Sequence, residues 1–212
     1  MTLEFVGRHL YLQPTPAGAY VAVANPDPTP ERRLLTSLMR TPQSVRASTA
    51  DLAWWCRQSE AEALDTVLRV QERGWIEGFN QPQGPAAGPL EPIAERAVQA
   101  LSTTGHGMLA DSQGFAMAST GFEPAAAEFL AAVSADIASM HERHAAYLAD
   151  ASGTSTSAWA LVDMAGNSKV GFWPLFVGSN RFVLALGGLP SLTHPAMVEL
   201  VWSLVVRYGE NT

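Results

Sequence analysis

The sequence predicts an α+β fold in two units. Two observations lead there. Strand-length apolar runs alternate with helix-length periodic segments along the chain. Residues 80–89 (NQPQGPAAGP) hold three prolines and two glycines and no charge, the composition of a linker between a unit at 1–79 and a unit at 90–212. The chain has 212 residues, 47% hydrophobic and 16% charged, so core material is ample and the signature of disorder is absent.

The most legible stretch runs from Met108 to Tyr147. MLADSQGFAMASTG predicts a strand, a tight turn at Asp111–Gly114, and a second strand ending at Ser119–Gly121, because Asp, Ser and Gly suit the turn's backbone angles. A long helix follows from Pro124, a residue the first helical turn tolerates. Its apolar residues Phe129, Val133, Ile137, Met140 and Tyr147 recur at helical spacing, which predicts one apolar face.

Before this, residues 8–12 and 19–24 predict a β-hairpin around Pro14–Gly18, and 25–30 a proline-rich connector. Pro30–Arg40 predicts a helix with Leu34, Leu35 and Leu38 inward, and Thr49–Cys56 a second. Ser59–Arg73 predicts a third, opened by the capping pair Ser59 and Glu62 and closed by Gly74, with Trp75–Phe79 a strand. Two short helices, a tight joint, a third helix and a strand resemble a winged helix. SEAEALDTVLRVQERGWI is similar to winged helices of bacterial regulators.

Past the linker, Leu90–Leu101 predicts a helix with Ile93, Ala97 and Leu101 on one side. Asp150–Ser157 reads as a polar loop, and Ala158–Met164, Val170–Val177 and Arg181–Leu186 as strands. Pro195–Tyr208 predicts a closing helix with Val198, Val201, Trp202 and Val205 apolar.

Leu109-Ala110-Asp111, Gly114, Ala118-Ser119-Thr120-Gly121 and the alanine-rich helix after Glu123 resemble the roadblock / dynein light-chain family over residues 90 to 208. The resemblance implies a profilin-like five-stranded antiparallel sheet with three helices, and dimerisation. It also implies a non-catalytic adaptor or regulator, with a second copy and a small Ras-like GTPase as partners. On that reading the dimer interface is expected at Ala158, Ala160 and Val162 of an edge strand and at Val133, Ile137, Met140 and His144 of the long helix. The GTPase contact is expected on its polar side, at Glu128, Asp136, Glu142 and Arg143.

Other chemistries find little footing. A P-loop needs a lysine behind a glycine-rich turn, and Lys169, in GNSKV, lacks that setting. No Gly-x-Ser-x-Gly elbow occurs. His141 and His144 flank Glu142 without zinc-protease spacing, so no metal or other cofactor is expected. The lone Cys56 excludes an intramolecular disulfide and reads as a buried thiol. The net charge is −7, residues 31–79 carry seven basic and seven acidic residues, and the third helix opens with Glu60, Glu62 and Asp65. That balance argues against phosphate contact, so DNA binding by a transcription regulator stands as the alternative function, with the second unit serving dimerisation or sensing. No cationic start leads into an apolar signal segment and no apolar run reaches about 18 residues, so a cytoplasmic protein without membrane insertion is expected; that it is bacterial and non-enzymatic is what the two resemblances imply.

Overall fold

The computed structural model describes residues 4–152 and 156–209. Its architecture is α+β. A five-stranded antiparallel sheet is ordered β4-β3-β7-β6-β5, from β3 (Gly107–Ala110), β4 (Ala116–Thr120), β5 (Trp159–Val162), β6 (Ser168–Val177) and β7 (Asn180–Gly187). Helices α5 (Leu90–Leu101) and α7 (Ala196–Tyr208) pack together on one face, and α6 (Pro124–Ser152) crosses the other. The element order is the one expected, and β5 is an edge strand. The β3–β4 turn forms as its sequence predicts: Asp111 Oδ1 accepts hydrogen bonds from the backbone N–H groups of Gln113 and Phe115. No helix among the described residues is long and apolar enough to cross a membrane.

The helical part holds α1 (Pro16–Val23), α2 (Pro30–Leu38), α3 (Thr49–Cys56) and α4 (Glu60–Glu72). Leu34, Leu35, Leu38, Leu52, Cys56 and Val70 are fully buried among them. The expected capping box opens α4, and Gly74 turns the chain away at φ +65°.

The expected N-terminal hairpin does not form. β1 (Tyr11–Pro14) pairs antiparallel with β2 (Ile76–Phe79), more than sixty residues on, and residues 16–23 are helical. A short apolar run such as AYVAVA carries no decisive period. Its start decides the outcome: Thr15 caps the helix by accepting from the Gly18 N–H, and Pro16 fits the first turn. Because β2 takes its partner from before the helices, the two consecutive strands of a wing do not follow α4 among the described residues.

The expected buried face of α6 is also corrected. Ala127, Ala131, Ser134 and Ala138 meet the sheet, whereas Phe129 and Tyr147 are 68% and 78% exposed, and Val133, Ile137 and Met140 are half-buried. Apolar periodicity marks the largest side chains, but this helix sets small ones against the sheet, and the close-packed seam beneath it is built from them. The Ser134 hydroxyl is satisfied within the helix by the Ala131 carbonyl. The helix runs to Ser152, so the polar loop expected from Asp150 begins later, and 153–155 fall outside the described residues.

One hydrophobic core runs from Leu12 through α1–α4 into α5, α7 and the sheet, ending at Val205. Helix α1 lies against α7, which is why Leu200 to Val205 are buried without a polar side. Trp202 Nε1 donates to the Thr41 carbonyl at 2.7 Å. The proline-rich stretch is itself tied down: the Ser44 N–H donates to the Gln83 carbonyl at 2.6 Å, and the Gln83 N–H to Ser44 Oγ at 2.8 Å.

Candidate interaction surfaces

The outer side of α6 and the neighbouring edge strand β5 form an apolar surface. At about 100° per residue, Phe129 and Tyr147 share one helix direction and Val133 and Met140 lie within about 40° of it. On β5, Leu161 and Val162 are 49% and 60% exposed, and Met164 in the following turn is fully exposed. Helix and strand are joined directly: Trp159 Nε1 donates to His141 Nδ1 at 3.1 Å, with the rings edge to face. His141 is therefore held by the strand, and among the described residues no three His, Cys, Asp or Glu side chains converge on a metal position.

The β5–β6 turn is held by its own charges. Asp163 Oδ1 accepts from the backbone of Ala165 and Asn167, and Lys169 Nζ lies 3.1 Å from Oδ2. The Asn167 backbone bond first, then the Lys169 side chain, keep the Asp163 carboxyl below its usual range. Among the described residues no strand pairs with the outer edge of β5.

The residues singled out for dimerisation are spread over this surface. Ala160, Val162 and His144 are exposed, and Ala158, Val133, Ile137 and Met140 are half-buried. Ile137 packs against the small core under α6, so it supports the fold as well. The four residues singled out for a GTPase are all exposed but do not form one patch. Asp136 and Arg143 lie beside Phe129 and Tyr147, within about 40° on the helix. Glu142 turns back toward the sheet, where Arg181 Nη1 holds it at 2.7 Å. Glu128 rims a separate groove with Phe115 and Met117, beside edge strand β4. Arg181, whose side chain is only 12% exposed, also reaches Ser139 and ties α6 to β7. Sequence reading missed it, because an arginine opening a strand looks like any solvated charge.

Charged groups elsewhere are arranged for structure. Arg69 on α4 is paired with Glu31 on α2 at 3.0 Å. Burial pushes the Cys56 thiol up to about 11, which leaves it protonated and unreactive at neutral pH.

No protein-family model and no curated protein matches the chain. Solved structures are similar to it in part. A roadblock/LC7 domain from Streptomyces avermitilis is 19% identical, covering 55% of this chain and 95% of its own, with a TM-score of 0.40. Myxococcus xanthus MglB is 19% identical over 56% of this chain and 83% of its own, TM-score 0.32. The gliding protein MglB of Thermus thermophilus is 16% identical over 60% of this chain and 96% of its own, TM-score 0.33.

Proposed function

We propose that this chain is a non-enzymatic homodimeric adaptor or regulator whose two copies join through α6 and β5. The supporting observation is the outward apolar side of α6, with Phe129 and Tyr147 exposed, beside an edge strand carrying exposed Leu161 and Val162. A monomer rarely leaves so much apolar surface beside an unpaired strand edge. A two-fold arrangement would bury both at once. Static light scattering of the full chain at tens of micromolar, on the order of usual assay concentrations, gives a dimer on this reading; a monomer overturns it. Tyr147→Asp, at an exposed site, lowers the dimer fraction without lowering the melting temperature of the monomer.

The partner of that dimer, on the family resemblance, is a small Ras-like GTPase, held by contact and not supplied with a catalytic group. Asp136 and Arg143, which flank the dimer seam on the side of α6 turned away from β5, are its contact residues, since Glu142 is engaged by Arg181. Affinity capture from the native host should recover a small G protein with the wild-type chain and lose it with Asp136→Lys/Arg143→Glu, while light scattering still shows that variant as a dimer. Equal recovery by both removes this surface assignment. Helices α2–α4 serve as a protein-contact unit, because acidic Glu60, Glu62 and Asp65 open α4, where a DNA reader needs positive charge.

A further inference from the structure

A cleft of 1100 Å³ opens between the helical part and one end of the sheet. Its walls come from α2, α3 and the start of α4, and it is bounded by Gly178 in the β6–β7 turn and Gly209 after α7. Arg33, Arg40 and Arg57 all line it. With Glu60 and Glu62 at the α4 end of the same lining, the cleft carries an excess of one positive charge in a chain of net charge −7, and its arginines come from α2, from just beyond it and from the end of α3. Ion pairs engage Arg69, Arg96, Lys169 and Arg181, but among the described residues neither Arg33 nor Arg57 has an ion-pair partner. Trp54 stands in the same wall, 76% exposed. An exposed tryptophan beside arginines is the residue combination that dominates binding at protein interfaces.

Arg57 carries a second signal. It adopts φ 55° and ψ 49°, the left-handed region, and is the one non-glycine residue with positive φ among the described residues. The position closes α3, with the Arg57 N–H bonding the Trp54 carbonyl and the Gln58 N–H bonding that of Ala53. Glycine sits at such helix ends without strain. Keeping an arginine there puts a guanidinium on the cleft that Trp54 also lines, at some expense to the fold, a pattern found at binding sites.

We propose that this cleft docks an acidic polypeptide segment bearing a large apolar side chain, its carboxylates on Arg33 and Arg57 and its apolar group on Trp54. Arginine forks meet carboxylates through two parallel hydrogen bonds. A nucleic acid fits less well, because Glu60 and Glu62 also line the cleft and would face an unbroken row of phosphates. A peptide places its carboxylates singly and offers a cover for the indole.

The test uses the full chain as bait for a displayed library of random peptides. Enriched peptides should carry an excess of Asp and Glu with a large apolar residue among them. One such peptide, labelled and followed by fluorescence anisotropy, should bind more weakly as salt rises. Trp54→Ala and Arg57→Gly should each weaken it roughly tenfold or more. Arg57→Gly should at the same time melt no lower than the wild type, so lost binding cannot be ascribed to lost folding. The proposal is overturned by a library that fails to enrich or enriches without acidic bias. It is overturned equally by binding that survives Arg57→Gly, or by a random-sequence DNA duplex that displaces the peptide at lower concentration than the unlabelled peptide does.

Discussion

Gly18→Ala tests how α1 is locked to the rest of the molecule. A methyl group placed on Gly18 would lie 1.9 Å from the Trp75 carbonyl oxygen and 2.8 Å from its carbon. The obstacle is backbone, so α1 or the Gly74–Trp75 turn must move by about 1 Å or more. Two hydrogen bonds cross that junction: the Thr15 N–H to the Trp75 carbonyl at 3.0 Å, and the Thr15 hydroxyl to the Gly74 carbonyl at 2.7 Å. Each contributes roughly 1 kcal/mol, and overpacking of a tight site adds about 1–3 kcal/mol. Against this, alanine is the better helix former by about 0.5–1 kcal/mol. The balance is a loss of about 2–4.5 kcal/mol, read as a lower urea midpoint followed by tryptophan emission. Gly74→Ala makes the comparison, since Gly74 has φ +65° and nothing within 4 Å of the added carbon; its cost is limited to the left-handed backbone, about 1 kcal/mol. A Gly18→Ala protein as stable as the wild type, or more so, would refute the claim that this close approach is rigid.

Cys56 supplies a pH test. Burial, then the negative charge of Glu31, push its thiol from 9.0 to about 11, with Arg69 acting the other way. The unfolded thiol ionises first, so this contribution is intact below the unfolded value of 9.0 and is lost as pH rises toward about 11. Urea midpoints should fall across that window by a stability on the order of 2–3 kcal/mol; Cys56→Val should flatten the part below the tyrosine range, where half-buried Tyr20, also pushed up by burial, takes over. Ser59→Ala should destabilise by about 1 kcal/mol, because Ser59 accepts from the Glu62 N–H while Glu62 accepts from the Ser59 N–H and hydroxyl. Those bonds hold the Glu62 carboxyl below its usual 4.5, so the box is complete above that pH and weakens as pH falls through the folded value. The penalty of Ser59→Ala should therefore shrink in acid, as read from melting temperatures; a penalty independent of pH would mean that Glu62 adds nothing.

Local chemistry was enough for much of this protein. Ser59 and Glu62 announced the start of α4, Gly74 its end, and Asp111 to Gly114 the β3–β4 turn, because caps and turns are satisfied by residues a few positions apart. The order of elements from Leu90 onward was legible for the same reason, as was the inward side of α5 and α2. What the tertiary structure decided lies where the partner is distant. Tyr11–Pro14 pairs with Ile76–Phe79, and nothing near residue 11 encodes that choice. Residues 16–23 become a helix because Thr15 and Pro16 start one and because α7 offers an apolar surface on which the helix can lie. Phe129 and Tyr147 of α6 face outward because Ala127, Ala131, Ser134 and Ala138 take the positions against the sheet, a choice that periodicity does not contain. The cleft was illegible for the same reason: Arg33, Arg40, Trp54 and Arg57 meet only when α2 and α3 are folded against each other and the end of the sheet bounds the space they line.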